Sequence, residues 1–245
     1  DDKPVFMRNS QNPLDYSAVI LDELSMVDIS LFASFLDALP LGCRLVMVGD
    51  SDQLPPVGAG NVLRDIIDSQ MLPVTELKTV FRQAMESTII RNAHRIVSGQ
   101  MPELKNSQDT DFFHIERTSP SSCAETIAQL CEKRLPAAYN YDFMTDIQII
   151  CPSKKGESGT RYINMLMQSR VNPKTKDKHE FFANGCTFRE GDKVMQIKNN
   201  YELDWTKDGE KGQGIFNGDI GILREISNSE GLMVIDFDGR VTKYP

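Results

Sequence analysis

Ala18-Val19-Ile20-Leu21-Asp22-Glu23-Leu24-Ser25-Met26-Val27-Asp28 and Arg44-Leu45-Val46-Met47-Val48-Gly49-Asp50-Ser51-Asp52-Gln53-Leu54-Pro55-Pro56-Val57-Gly58-Ala59-Gly60 are the two runs that decide how this chain folds. Each opens with a short apolar segment, Ala18–Leu21 or Leu45–Val48, and then turns acidic or polar. Short aliphatic segments bounded by turn residues predict buried parallel strands. Ligands of open α/β sheets sit at the carboxyl ends of such strands. Asp22, Glu23, Asp50 and Gln53 are therefore expected along one rim. Between the strands, Asp28 is placed to cap a helix with Leu31, Phe32, Phe35, Leu36 and Leu39 on one face, ended by Pro40 and Gly42. A second helix is predicted from Asn61, with Val62, Leu63, Ile66 and Ile67 as its buried stripe. Strand–helix alternation of this kind predicts a parallel sheet with covering helices.

Outward from that core, the register resets around Gln70–Pro73, which marks an expected domain boundary. Val74–Leu77 then leads into Thr79-Val80-Phe81-Arg82-Gln83. Ser87 is expected to cap a helix packing Ile89, Ile90, Ala93, Ile96 and Val97 inward, closed by Gly99 and Pro102, with His94 as a packing residue. Strands are predicted over Asp111–Ile115 and Ile147–Cys151, and helices over Cys123–Leu135 and Thr160–Ser169. From Phe188 the pattern changes to strands separated by Gly, Asn and Asp turns, as in a small SH3-like barrel. Within it, Glu202–Gly214 (ELDWTKDGEKGQG) reads as an exposed mobile loop. The expected division is 1–72, 73–186 and 187–245.

Composition narrows the classes further. The start, DDKPVFMRN, is polar and acidic and does not resemble a signal peptide, and no apolar run approaches the ~20 residues of a membrane helix. Cys43, Cys123, Cys131, Cys151 and Cys186 are odd in number and lack a C-x-x-C pair, which favours reduced thiols and a cytoplasmic location over disulfides or zinc. His94, His114 and His179 are too scattered to suggest a metal cluster. A formal net charge of −8 argues against a simple DNA-coating protein, but the charge is uneven. Lys154, Lys155, Arg161, Arg170, Lys174, Lys176 and Lys178 stand against Glu157 and Asp177, a local balance of +5, whereas residues 1–85 carry −6. One local patch is enough for an acidic chain to bind a polyanion; a solvated charged loop is the plainer alternative.

An acidic pair after an aliphatic strand suits nucleoside triphosphate hydrolysis. One carboxylate holds Mg2+ through water and the second accepts a proton from the attacking water. A glutamine one short turn past the next strand can reach the terminal phosphate or the attacking water, and Pro55-Pro56 stiffens the segment that carries it.

DELSMVD, VGDSDQLPPVGAGNVLRDII, VFRQAMESTIIRNAHRI, GDKVMQIKNNY and FNGDIG together resemble the RecD-like branch of superfamily 1 DNA helicases, in order across nearly the whole chain. That branch includes the exonuclease V alpha subunit, its stand-alone relatives and the helicase part of TraA-type relaxases. The resemblance implies an α/β fold: parts of two RecA-like P-loop motor domains, with ATP and Mg2+ between them, plus an SH3-like insertion. It also implies 5′ to 3′ movement on single-stranded DNA, action at duplex junctions, and, for the exonuclease V form, helicase–nuclease partner subunits. Carried over, Asp22 holds Mg2+, Glu23 activates water, Gln53 senses the γ-phosphate, and Arg82 is an arginine finger. Lys154, Lys155 and Arg161 are the expected DNA contacts; Trp205 and Tyr201 either stack on bases or, more simply, cover the barrel.

Leu24 stands where the family usually has alanine. No G-x-x-x-x-G-K-[ST] phosphate loop occurs, nor the family's late H-K-S-Q-G-like block, so the sequence reads as an interior segment of a longer helicase. A non-catalytic DNA-binding or docking module is the alternative of another class.

Overall fold

The computed structural model describes residues 6–77, 86–107 and 109–244. It divides into two compact units, Asp1–His114 and Ile115–Pro245.

In the first unit β1 (Ala18–Leu21) and β2 (Arg44–Met47) pair in parallel, with Ala18 opposite Arg44 and Leu21 opposite Met47. The ladder runs on past both strands: the Val48 N–H donates to Leu21 O at 2.8 Å, and the Leu24 N–H to Val48 O at 3.0 Å. Between them lies α1 (Ile29–Ala38), capped by the Asp28 carboxylate, which accepts from the Leu31 N–H at 2.9 Å. After β2 comes α2 (Val62–Ser69). Leu24, Phe32, Val62 and Leu63 form the buried cluster under these elements. The strands are parallel as expected but not buried on both faces. Ile20, Val46 and Val48 are exposed, because α1 and α2 cover one side only and no described strand extends the pair.

The third helix, α3 (Thr88–Val97), begins at the expected cap, the Ser87 hydroxyl accepting from the Ile90 N–H at 3.2 Å. Its packing differs from the expectation. Thr88 and Asn92 are buried, whereas Ile89, Ala93, Ile96, Val97 and His94 are exposed. Asn92 turns inward because it pairs with the backbone of Glu103, its amide donating to the carbonyl at 3.0 Å and accepting from the N–H at 2.6 Å. The predicted strand 111–115 is likewise absent. Asp111 instead caps α3, accepting from Ser87 Oγ at 2.5 Å, Thr88 N–H at 2.7 Å and Ile89 N–H at 3.1 Å. The Ser87 bond, the largest contribution, together with the backbone donors lowers the Asp111 pKa against desolvation, which raises it. His114 pairs its backbone with the Asn106 side chain, its N–H donating at 2.9 Å and its carbonyl accepting at 2.9 Å, so a side-chain amide takes the place of a partner strand.

In the second unit α4 (Pro120–Gln129) passes through a π-helical turn at Leu130–Arg134 into α5 (Leu135–Tyr139). The wider turn accommodates Pro136, whose ring would clash with the preceding turn of a regular α-helix. Against it packs α6 (Thr160–Val171), around Ala124, Ala128, Cys131, Ile147, Ile163 and Met167. Ile147 is buried there, but 147–151 pairs with no described strand, and the Ile147 carbonyl accepts from Lys193 Nζ at 2.9 Å. Burial lowers the Lys193 pKa, opposed by the nearby Asp142 and Asp146.

The remainder is β. A hairpin of β3 (Glu180–Ala183) and β4 (Cys186–Arg189) precedes β5 (Lys193–Met195), β6 (Asn200–Lys207), β7 (Glu210–Ile215), β8 (Ile220–Ser227), β9 (Leu232–Phe237) and β10 (Arg240–Tyr244). These last six make one sheet in the order β5-β8-β9-β10-β6-β7. Glu202–Gly214 is therefore not a mobile loop but most of the β6–β7 hairpin. Its turn is Asp208-Gly209, both at positive φ (51° and 88°), as a type I′ turn requires. Trp205 packs across it: a Cβ on Gly212 would lie 2.7 Å from the indole Cε2. Trp205 also covers the cluster of Ile215, Leu223, Ile226, Ile235 and Phe237. Tyr201 stays exposed, edge-on to Phe216 at 5.5 Å.

Candidate active site

Because β1 and β2 are parallel, the residues just beyond them emerge at the same rim. Asp22 and Glu23 leave β1 exposed, directly before the fully buried Leu24. Glu23 has φ 54° and ψ 40°, the left-handed region that a non-glycine residue occupies at a cost. That kink starts a 3₁₀ turn, Leu24–Met26, in which the Met26 N–H donates to Glu23 O at 3.0 Å. Asp22 folds its carboxylate back to accept from the Glu23 N–H at 2.9 Å. Leu24 is the anchor of the acidic pair: its side chain lies in the core and its N–H completes the ladder. The larger side chain at this position is absorbed there.

Gly49 follows β2 where a Cβ would lie 3.2 Å from the backbone nitrogens of Leu24 and Ser25 and 2.9 Å from Leu63. Only glycine lets the second strand's exit pass this close to the turn carrying the acids. Asp50 then organises its own turn, its carboxylate accepting from the Asp52 N–H at 2.9 Å and its carbonyl from the Gln53 N–H at 3.2 Å. From α2, Arg64 donates to Ser51 O at 3.0 Å and approaches Asp52 at 3.8 Å. Gln53 is thus held by its backbone, and its exposed amide makes no hydrogen bond among the described residues. Asp22 and Glu23 follow β1, and Gln53 lies in the turn after β2, at the same end of the parallel pair; Arg82 lies outside the described residues.

In the second unit, Lys154, Lys155 and Arg161 bracket the start of α6. The loop folds back on the helix, with the Thr160 N–H on Ser153 O at 3.0 Å and Ser153 Oγ on Lys155 O at 2.9 Å. Gly159 permits this fold; a Cβ there would lie 2.7 Å from the Lys155 carbonyl carbon. All three basic side chains are exposed and without an ion pair among the described residues. Three further cations of the basic run differ. Arg170 binds Glu125 at 2.7 Å and Glu132 at 3.4 Å, Lys174 pairs with Glu180, and Lys178 donates to Asn172. Arg170, Lys174 and Lys178 are thus structural cations, whereas Lys176 is exposed and, like Lys154, Lys155 and Arg161, without an ion pair among the described residues.

Sequence reasoning missed the docking of the Gly58–Gly60 segment on the start of α1. The Ile29 N–H donates to Ala59 O at 3.0 Å. Its one signal in the sequence is the pair Gly58 and Gly60, which marks a close approach but not the surface approached.

Two family models match: residues 163–237 match the "ATP-dependent RecD-like DNA helicase SH3 domain" and residues 9–118 an "AAA domain". An ATP-dependent RecD2 DNA helicase of Deinococcus radiodurans is 32% identical over 97% of this chain and 29% of its own length. A RecBCD enzyme subunit RecD of Mycolicibacterium smegmatis is 40% identical over 94% of this chain and 40% of its own. The chain therefore spans well under half the length of these relatives. A crystal structure of Pif1 helicase from Bacteroides in complex with ADP-AlF3 and ssDNA aligns over 96% of this chain and 53% of that one, at 20% identity and a TM-score of 0.47. By its sequence matches, in the same order as its two kinds of folded unit, the chain belongs to the RecD-like family of DNA helicases.

Proposed function

We propose that the full-length protein couples ATP hydrolysis to 5′ to 3′ translocation on single-stranded DNA and to duplex unwinding, in repair or recombination. The observation that carries this reading is the acidic pair pinned by Leu24 at the same end of the parallel pair as Gln53. Asp22 has the hard oxygen that Mg2+ prefers; Mg2+ takes one or two carboxylates plus phosphate oxygens rather than an all-protein cage. Bound Mg2+ would neutralise charge on the phosphates. Glu23, exposed beside it, accepts the proton of the attacking water, and the unbonded Gln53 amide meets the terminal phosphate. Arg82 supplies a guanidinium to the developing charge. Lys154, Lys155 and Arg161 track phosphates of the single strand. The division at 72/73 and 186/187 belongs to this reading, as do its two motor parts and β insertion. The M. smegmatis relative's name supports a second setting, as motor subunit of a helicase–nuclease.

The test is Glu23→Gln in the full-length protein. Loss of a general base lowers DNA-stimulated ATP turnover by about 10²-fold or more. Turnover unchanged by the substitution overturns the motor reading.

A further inference from the structure

The loop after β2 is fastened at both ends, and its far end rests on the start of α1, just beyond the 3₁₀ turn that follows Glu23. At the near end the Asp50 turn and Arg64 hold Ser51–Gln53. At the far end the Ala59 carbonyl takes the first free N–H of α1, from Ile29, at 3.0 Å. There Gly58 lies flat against the Asp28 side chain: a Cβ on Gly58 would be 2.6 Å from Asp28 Cγ and 2.7 Å from its Cβ. Gly60, at φ +92°, would bring a Cβ to 3.1 Å from Ile29 Cβ. The short run from Glu23 through the 3₁₀ turn to Ile29 therefore has the acid at one end and the loop's seat at the other.

We infer that Gly58 is a positioning residue: its seating on Asp28 and the start of α1 fixes Gln53 relative to Glu23. The inference rests on the motor reading above. Any side chain at 58 overlaps Asp28 and lifts the loop's far end, and Gln53 shifts with it. Pro55-Pro56 makes the link stiff, since proline fixes φ and leaves little slack to absorb the shift.

The experiment measures kcat and KM for ATP, with saturating single-stranded DNA, in the full-length protein. Misplacement by about 1 Å costs on the order of 10²-fold. Gly58→Ala is expected to lower kcat by roughly that factor, with KM and the melting temperature little changed. Asp28→Gly removes the wall that the new Cβ meets while keeping an acceptable helix cap. The pair Asp28→Gly/Gly58→Ala is therefore expected to recover the kcat of Asp28→Gly alone. In a Gln53→Ala background, Gly58→Ala is expected to cost nothing more.

Wild-type turnover in Gly58→Ala, a pair as slow as Gly58→Ala, or losses that multiply with Gln53→Ala each overturn the inference. If Gly58→Ala does not fold, the pair decides alone: it must fold and turn over as Asp28→Gly does. Turnover that survives Glu23→Gln overturns the motor reading and this inference together. Turnover lost in Glu23→Gln but kept in Gly58→Ala overturns only the latter.

Discussion

Glu23 stands in a left-handed backbone conformation at φ 54°, exposed, on the fully buried anchor Leu24. That conformation costs an L-residue ~1–2 kcal/mol, and glycine there would give back ~0.5–1 kcal/mol of that gain as extra freedom in the unfolded chain. Glu23→Gly is therefore expected to raise stability by about 0.5 kcal/mol, read as a higher melting temperature, while abolishing ATP turnover. A lower melting temperature would mean that the carboxylate makes a stabilising contact of its own. The trade of stability for a reactive geometry is frequent at catalytic positions. That Asp22, Glu23 and Gln53 follow parallel strands was legible in the sequence, and strand ends in an α/β sheet gather ligand-binding residues. Glu23's backbone and the seat for Gly58 were not. Both depend on how closely two segments pass, and residue types carry that only as an unexplained glycine.

The basic stretch after residue 153 separates into exposed and paired side chains once its contacts are known. Lys154 and Lys155 point to solvent from a loop folded on α6, whereas Lys174 is tied to Glu180. Lys154→Glu/Lys155→Glu is accordingly expected to weaken single-stranded DNA binding by the full-length protein and flatten its dependence on salt concentration, as lost phosphate contacts do. Lys174→Glu is expected to leave that slope in place. Fluorescence anisotropy titrations across a salt series check both, and equal slopes in all three proteins would remove the patch. The same contrast explains what could be read of the elements. The Ser87 cap and the apolar spacing announced α3, but its inward face was set by Asn92 binding a backbone that arrives from Glu103. Segments 111–115 and 147–151 have strand-like composition, yet a strand needs a partner, and none of the described strands lies beside either. The β6–β7 hairpin was written in Asp208-Gly209; polar composition around that dipeptide masked it.

Across the whole chain, the folded units and the chemistry do not coincide. The first unit holds the acidic pair and Gln53, the second the exposed basic loop and the β sheet, and no phosphate-cradling loop occurs in the 245 residues. The isolated chain is accordingly expected to show no DNA-stimulated ATP turnover. Measured turnover that disappears in Glu23→Gln would refute this. Fold class was legible from alternation in the first half and turn spacing in the second, whereas the exposed outer face of β1 and β2 (Ile20 is 71% exposed) reflects what neighbours them, which strand composition does not reveal. The order β5-β8-β9-β10-β6-β7 has a kinetic consequence as well. The β6–β7 and β9–β10 hairpins close across Asp-Gly turns, and such hairpins form in ~1–10 μs. The ladders that join Lys193 to Ile222 and Thr206 to Val241 bring together distant stretches of chain and must first meet the entropy of closing those loops. The hairpins are thus the early products of folding, and the slow step is their assembly into one sheet, with β5 joining at its edge.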